Sequence, residues 1–503
     1  MKAFLLYRDA DLDLKQKLPP QEPALTQDLE LHTLLDAMAR GDKFLWEVAQ
    51  KAVLFSVTDL DTIRYRQDIL KDCLKNPAIV RDMYALVVGA IENEKKPYTS
   101  IFSRYPGSIL YSAIEVLQMF VVMLKRLRAV ADEHSARFES EGFRTLLAML
   151  QRELSDEYFA SVQDHLIELK FRDGVLISAE LGQGNKGIHY VLRQAMDGNP
   201  GWMRRFFAKK PPAYSLFISD RDESGARALT ELRDQGINLV ANALAQSMEH
   251  ILSFFTMLRI ELGFYVGCLN LYDRLIQLGE PVCFPLPLPA GARGHSFTGL
   301  YDVCLALTLQ QRIVGNDLNL DQRDLVIITG ANQGGKSTFL RSIGLAQLML
   351  QCGMFVPAEK FAANVCDGLF THYKREEDSA MNSGKLDEEL HRMSEIVDRL
   401  APDALVLFNE SFAATNEREG SEIARQIIRA LLEKGVKVFC VTHMYELAHG
   451  FYEQQLPGAV FLRAERQSDG VRSYKLSVGE PLPTSFGADL YARIFGDDAV
   501  LGR

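Results

Sequence analysis

The sequence predicts a multidomain protein whose first half is mainly α-helical, with a small β-rich insert, and whose last part is an α/β domain. At 503 residues the chain is too long for a single compact core. Apolar residues recur at spacings of three and four through residues 26–165, a period typical of packed helices. Beyond a proline-rich boundary, strand-like runs alternate with helical ones, which favours a parallel sheet.

Changes in composition divide the chain into four predicted segments. The glycines Gly182, Gly184 and Gly187 follow the helical pattern, and such crowding is typical of short strands and loops. No proline then occurs between Pro212 and Pro281, so one helix of about 50 residues could form there. The prolines that start at Pro281 end it. The segments are a helical domain, a β-rich insert, a long return helix and an α/β domain, at residues 1–165, 166–220, 221–280 and 281–503.

The bulk properties exclude several classes of protein. The formal net charge of -10 excludes a wholly basic coat for nucleic acid, although a local basic patch is compatible with it. The seven cysteines are odd in number and lack metal-site spacing, which argues against a disulfide framework or a zinc site. Charged residues interrupt both the apolar start and the apolar run at 251–269, so we expect neither a signal peptide nor a membrane span. These features predict a cytoplasmic protein.

A glycine-rich run at residues 330–337 predicts a phosphate-binding loop. It matches G-x-x-x-x-G-K-[ST] in full, between a strand-like run at 325–329 and the start of a helical run. Glycines let backbone N–H groups face phosphate oxygens, and the helix N-terminus adds partial positive charge. The lysine of this motif reaches the β- and γ-phosphates, and the following serine binds Mg²⁺. Unless the run is a chance glycine-rich turn, the ATP-binding residues are Gly330, Asn332, Gly334, Gly335, Lys336, Ser337 and Thr338, with Ser337 also a metal ligand.

Two later strand-like runs end in residues suited to ATP chemistry. Residues 404–408 lead into Asn409 and Glu410, where P-loop ATPases carry an Asp that holds Mg²⁺ and a Glu that polarises water. Asn409 can accept a hydrogen bond from a metal-bound water but lacks the charge, so we expect weaker Mg²⁺ affinity and slower turnover. Residues 436–441 lead into His443, which is placed to sense the γ-phosphate. The alternatives are a surface acid at Glu410 and a structural histidine at His443.

Together these residues resemble the ATPase domain of the MutS family of DNA mismatch-repair proteins. The family's loop reads T-G-x-N-x-G-G-K-S-T, and residues 329–338 read TGANQGGKST. Residues 353–358, 370–371, 383–384, 442–443 and 485–487 are similar to the family's G-x-x-V-P-A, F-T, S-G, T-H and S-[YF]-G elements. The helical segment, the insert and the long helix resemble its core, lever and clamp more weakly. The resemblance implies that the last segment is an α/β P-loop ATPase domain of the ABC type.

The resemblance implies a DNA-associated ATPase that works as a homodimer in DNA repair or recombination, with ATP and Mg²⁺ as cofactors and a repair protein as a further partner. ATP would bind at the dimer interface, and the long helices would couple closure there to clamping of duplex or branched DNA. Glu410 and His443 would be the catalytic residues. Asn416 and Gly420 would belong to the loop that reaches the partner subunit's ATP.

Three departures from the family pattern affect these expectations. The family's Asp-Glu pair is Asn409-Glu410, and Asn409 is the second expected metal ligand. The family's S-T-x-x-G loop becomes residues 416–420, where Glu417 adds negative charge beside Asn416. Mismatch readers of the family begin with a domain that carries an F-x-E wedge, and the helical pattern from residue 26 leaves no room for it. We therefore expect a member without the mismatch-recognition domain.

The β-rich insert carries basic residues among aromatic ones, a composition that favours contacts with DNA phosphates. The alternative is a solvated basic face with the aromatic side chains packed inward, since acidic residues dilute the charge. The expected DNA contacts are Lys186, Arg193, Arg204, Arg205, Lys209 and Lys210.

Two further functions remain open from the sequence. Asn409 is compatible with a nucleotide-gated binding protein that hydrolyses little ATP. The chain could also be an ATP-driven protein remodeller that does not bind DNA. Loss of the insert's basic residues without effect on any activity would favour the remodeller.

Overall fold

A computed structural model describes residues 1–95, 105–172, 174–193, 214–219, 221–375, 384–466 and 472–483. The chain forms two compact units. The first comprises Met1–Ala3, Arg81–Arg137 and Arg144–Arg259, and the second comprises Phe4–Val80, Phe138–Phe143 and Ile260–Arg503.

Helices dominate the described residues before residue 280. They are α1 (Glu22–Asp28), α2 (Leu31–Ala39), α3 (Lys43–Leu54), α4 (Leu60–Lys75), α5 (Pro77–Lys95), α6 (Pro106–His134), α7 (Glu141–Glu153), α8 (Asp156–Glu168) and α9 (Glu223–Gln277). The proline-free stretch forms the single helix α9 of 55 residues. At about 1.5 Å per residue it is about 80 Å long. Residues 223–259 of this helix belong to the first unit and residues 260–277 to the second.

The described residues of the first unit form an aromatic core and a β-hairpin. Phe120 of α6 packs against Phe255 of α9 with ring centroids 5.4 Å apart, and both rings are fully buried. The hairpin consists of β1 (Leu176–Leu181) and β2 (Gly187–Arg193), which pair antiparallel. Leu181 is 80% exposed, and Leu176, Ile188 and Val191 are exposed as well, so several apolar side chains of the hairpin face solvent.

Two described helical stretches, Pro106–Arg137 and Glu223–Gln277, are long and apolar enough to cross a membrane by length and composition. The apolar windows that pass this test are 44% and 67% buried within the protein. Because core helices meet the same criteria, the finding is weak support for a membrane span, and the expectation of none stays a prediction.

Two sheets organise the second unit. The larger has the strand order β12-β11-β6-β10-β9-β8, in which only the β11–β12 pair is antiparallel. Its strands are β6 (Leu325–Gly330), β8 (Leu369–Tyr373), β9 (Leu405–Asn409), β10 (Lys437–Val441), β11 (Ala459–Arg466) and β12 (Arg472–Val478). The smaller sheet is mixed, has the order β3-β7-β4-β5, and consists of β3 (Leu286–Leu288), β4 (His295–Leu300), β5 (Asn316–Asn319) and β7 (Lys360–Asn364).

The second unit also contains α1–α4, and beyond residue 300 further helices alternate with the strands. They are α10 (Val303–Leu309), α11 (Lys336–Gln351), α12 (Lys385–Val397), α13 (Glu417–Glu433) and α14 (Tyr445–Glu453). Every residue of β6 is buried, as expected for a strand flanked on both edges and covered on both faces. One side of the sheet packs on α13 and α14 through a cluster that includes Phe408, Ile428 and Phe451. This packing fixes the carboxyl ends of β6, β9 and β10 beside one another.

Glu261 of α9 attaches the N-terminal segment to the second unit. Its carboxylate is fully buried and accepts hydrogen bonds from the backbone N–H groups of Leu5 at 2.9 Å, Leu6 at 2.5 Å and Leu12 at 2.9 Å. Burial raises the pKa of Glu261 to about 7, and the three hydrogen bonds oppose that rise.

We expect Glu261→Ala to lower the free energy of unfolding by about 3 kcal/mol or more, because three buried N–H groups lose their acceptor. Urea unfolding at pH 8 measures the change. Glu249→Ala is the matched control, since Glu249 is an exposed residue of the same helix. Equal stability of the two variants would contradict the assignment.

Candidate functional site

The glycine-rich loop joins the carboxyl end of β6 to the first residue of α11. Gly330, the last residue of β6, has φ +107, and a Cβ there would lie 2.9 Å from the backbone N of Ala464 on β11. Gly335 has φ +85 and caps α11. The sharp reversal between strand and helix therefore needs glycine at both positions. The loop backbone and the N-terminus of α11 lie at one edge of the larger sheet.

Lys336 folds back over this loop. Its Nζ donates to the carbonyl oxygens of Gly330 at 3.1 Å and Ala331 at 3.0 Å. The residue is only 6% exposed, and burial lowers the pKa of Lys336, while the nearby Glu410 carboxylate opposes that effect. The arrangement holds an ammonium group within the loop.

Asn409 and Ser337 meet beside the loop. Ser337 Oγ donates to Asn409 Oδ1 at 3.0 Å, which brings together the two expected metal ligands. Both oxygens are neutral, and in the described part of the chain no group of three or more His, Cys, Asp or Glu residues could hold a metal ion. These residues fit Mg²⁺ only as a weak site with neutral oxygen ligands.

Glu410 and His443 are in direct contact at the same edge. His443 Nε2 lies 2.6 Å from Glu410 Oε1, and both side chains remain about a third exposed, at 35% and 30%. Glu410 has φ +54, and its backbone N donates to Val441 O at 2.9 Å, which connects the ends of β9 and β10. The hydrogen bond from His443 is the main cause that lowers the pKa of Glu410. The carboxylate therefore stays ionised at neutral pH.

Sequence reasoning missed two cations at this edge. Arg472, the first residue of β12, donates from Nε to the carbonyl oxygen of Asn332 in the loop at 3.3 Å. Lys374 follows β8, and its backbone N donates to Asn409 O at 2.9 Å. Neither residue belongs to a motif. Only the strand order, which places β11 and β12 on one side of β6 and β8 beyond β9, could have indicated them.

An apolar pocket of about 390 Å³ adjoins the loop. Leu305 of α10 and Phe339 of α11 contribute apolar walls, while Gly335 and Thr338 line the side that faces the loop. Tyr301, which is 2% exposed, contributes an aromatic ring. A pocket of this kind fits a planar ring system attached to a chain of phosphates.

The expected trans-acting residues lie at the start of α13. Asn416 caps this helix, because its Oδ1 accepts from Glu419 N at 3.0 Å. Its amide group also donates to Glu419 Oε2 at 3.1 Å. A Cβ at Gly420 would lie 2.3 Å from Phe412 O, so this position needs glycine. The described contacts of Asn416 belong to its own helix start, and its expected role across a dimer stays a prediction.

The expected DNA contacts are only partly described. Lys186 and Arg193 are exposed on the hairpin, and Arg193 Nε donates to Ser178 Oγ at 2.9 Å. Arg204, Arg205, Lys209 and Lys210 lie outside the described residues, as do Ser383 and residues 485–487 of the family-like elements.

A glycine-rich loop between a buried parallel strand and a helix, with a lysine held inside it, is typical of nucleotide-binding proteins. Comparison with known proteins agrees with this class. Residues 58–278 match the family profile described as the MutS2 N-terminal domain, and residues 326–495 match the profile described as MutS domain V.

Curated relatives are bacterial proteins named DNA mismatch repair protein MutS. One from Thermotoga petrophila is 39% identical over 196 residues, which cover 38% of this chain and 24% of the relative. One from Chloroflexus aurantiacus is 31% identical over 192 residues, or 34% of this chain and 20% of the relative. One from Syntrophomonas wolfei is 34% identical over 164 residues, or 32% and 19%. The chain belongs to the MutS family, and it matches about a quarter or less of the length of these relatives.

Proposed function

We propose that the chain binds ATP at the loop of residues 330–337 and hydrolyses it slowly. In this proposal, residues 281–503 form the ATPase domain and ATP is bound at the interface of a homodimer. The loop with Lys336 buried inside it carries the proposal, because a cation held among loop carbonyls is positioned for phosphate oxygens. The adjoining pocket of about 390 Å³ would take the base.

In this proposal, each polar side chain at the edge of the sheet has a role in ATP hydrolysis. Glu410 is an ionised carboxylate that can polarise a water molecule, and His443 orients it through their 2.6 Å contact. Lys336 would bind the β- and γ-phosphates. Mg²⁺, when bound through Ser337 and Asn409, would neutralise phosphate charge. Because Asn409 brings no charge of its own, we propose a lower turnover than a carboxylate at that position would give.

The proposed partner is DNA, clamped without sequence preference as duplex or branched DNA. Residues 1–165 and the long helix within residues 221–280 would act as core and levers, and residues 166–220 would form the clamp. This part of the proposal rests on the family match and on the exposed cations Lys186 and Arg193 of the hairpin. A repair protein as partner, a role in repair or recombination and a cytoplasmic location belong to the same proposal.

Binding of the purified protein to matched, mismatched and four-way-junction DNA tests the proposal. Each DNA is titrated with and without ATP over a salt series. Phosphate contacts predict affinity that falls steeply with salt, and a coupled ATPase predicts that ATP changes it. The ranking of the three DNAs would identify the preferred structure. Absence of binding at low salt would exclude DNA and favour an ATP-driven remodeller of proteins.

Asn409 favours a second candidate, a nucleotide-gated binding protein with little hydrolysis. For this candidate we expect Asn409→Asp to raise the rate of hydrolysis about tenfold, because a carboxylate would hold the metal shell that the amide holds poorly. Steady-state phosphate release measures the change. Asn319→Asp is the control, since Asn319 ends β5 in the smaller sheet. An unchanged rate in Asn409→Asp would count against this account of slow turnover.

A further inference from the structure

We propose that the site binds a nucleoside triphosphate without requiring a divalent cation, because fixed cations of the chain take over the neutralising role of the metal. The inference rests on the proposed function and deepens it. It names the metal-free triphosphate as a ligand of the same site.

Among the residues that the structure describes, the negative charge available to a metal at this edge is low. Glu410 is already paired with His443 at 2.6 Å. Asn409, one residue earlier at the end of β9, is neutral. Within the described part of the chain, a divalent cation would therefore meet the neutral oxygens of Ser337 and Asn409, while the Glu410 carboxylate is already in contact with His443.

The Asn409 amide carries a hydrogen-bond donor as well as an acceptor. Its oxygen accepts the hydroxyl of Ser337 at 3.0 Å, so that oxygen is engaged. The NH₂ group on the other side of the amide is a hydrogen-bond donor. A donor repels a metal ion and suits a phosphate oxygen, so the position favours the phosphate directly.

Cations surround the loop on both sides. Lys336 lies within it, and Arg472 contacts it at Asn332 O from β12. Lys374 stands beyond β9, where the parallel register of Tyr373 with Asn409 places it beside Glu410. After the hydrogen bond from His443, the ammonium groups of Lys336 and Lys374 also lower the pKa of Glu410. After burial, the Arg472 guanidinium also lowers the pKa of Lys336. These three cations and the Glu410 carboxylate therefore interact.

The charge balance of these groups suits a metal-free ligand. The three cations Lys336, Lys374 and Arg472 and the single carboxylate of Glu410 have a net charge of +2 when His443 is counted as neutral. A triphosphate without metal carries two more negative charges than its complex with Mg²⁺, because Mg²⁺ is divalent. The side chains therefore supply the charge that the metal would otherwise bring.

Titration with a fluorescent ATP analogue, in Mg²⁺ and separately in EDTA, tests the proposal. We expect the wild-type Kd in EDTA to lie within about threefold of the Kd in Mg²⁺, less than the tenfold step that about 1.4 kcal/mol represents. Asn409→Asp should weaken binding in EDTA by about tenfold and retain it in Mg²⁺, because an added carboxylate repels phosphate and restores a metal ligand.

Variants that remove the fixed cations complete the test. Lys374→Gln and Arg472→Gln should each weaken binding more in EDTA than in Mg²⁺, while Lys434→Gln, an exposed lysine after α13, should weaken neither. Thermal melting verifies that each variant is folded. A wild-type Kd more than about tenfold weaker in EDTA would overturn the inference and leave the proposed ATPase intact. Absence of binding in both buffers would overturn the proposed function as well.

Discussion

Lys336→Ala is expected to weaken ATP binding by about 100-fold or more, equivalent to about 2.7 kcal/mol. The reason is the position of the ammonium group, which is 6% exposed and bonded to the carbonyl oxygens of Gly330 and Ala331. A phosphate that displaces these carbonyls would gain a charge-assisted hydrogen bond in a partly desolvated loop. Calorimetric titration with ATP measures the loss.

The fold of this variant should survive, because burial already disfavours the charged form of Lys336 and lowers its pKa. We therefore expect an unchanged melting temperature together with lost binding. Lys434→Ala is the matched control, since Lys434 is exposed and lies just before β10, at the opposite edge of the sheet. Full ATP affinity or full ATPase activity in Lys336→Ala would show that the site is wrongly assigned.

The sequence predicts three of the described strands of the larger sheet, β6, β9 and β10. The expected strands at 325–329, 404–408 and 436–441 lie within one residue of Leu325–Gly330, Leu405–Asn409 and Lys437–Val441 at each end. A strand covered on both faces must be apolar throughout, so the pattern is unambiguous. The strands β8, β11 and β12 were not predicted, although β8 is also buried throughout. Charged residues obscure the apolar period of the last two strands, Arg463 and Arg466 in β11 and Arg472 and Lys475 in the edge strand β12.

In the candidate site, residues of a contiguous motif could be predicted, whereas residues that come from distant parts of the sequence could not. The motif around Lys336 is contiguous, so its spacing alone predicts a phosphate loop, and the contact of Ser337 with Asn409 follows from neighbouring strands. Arg472 and Lys374 come from β12 and from the end of β8, far away in sequence. Whether these two residues lie near the loop depends on the order of the strands, which the residue pattern of this chain does not reveal. The positions of the charged side chains around the loop could therefore be found only from the structure.

Glu410→Gln is expected to lower the rate of ATP hydrolysis by about 100-fold or more while the Kd for ATP changes by less than about threefold. The carboxylate is ionised and about a third exposed, so it can accept a proton from an attacking water molecule. Glutamine has the same shape and can still accept the hydrogen bond of His443. The substitution therefore removes the base and leaves the geometry of the loop unchanged. Single-turnover hydrolysis, measured beside equilibrium binding, separates the two effects.

The matched control for this substitution is Glu433→Gln, an exposed glutamate at the end of α13. It makes the same chemical change at the edge of the sheet opposite the loop, so both hydrolysis and binding should keep their wild-type values. If Glu410→Gln hydrolysed ATP at the wild-type rate, Glu410 would not be the base. If it instead lost binding and hydrolysis together, the carboxylate would hold the loop in place, as its contact with His443 also permits. Binding without hydrolysis is the combination that only a base at Glu410 explains.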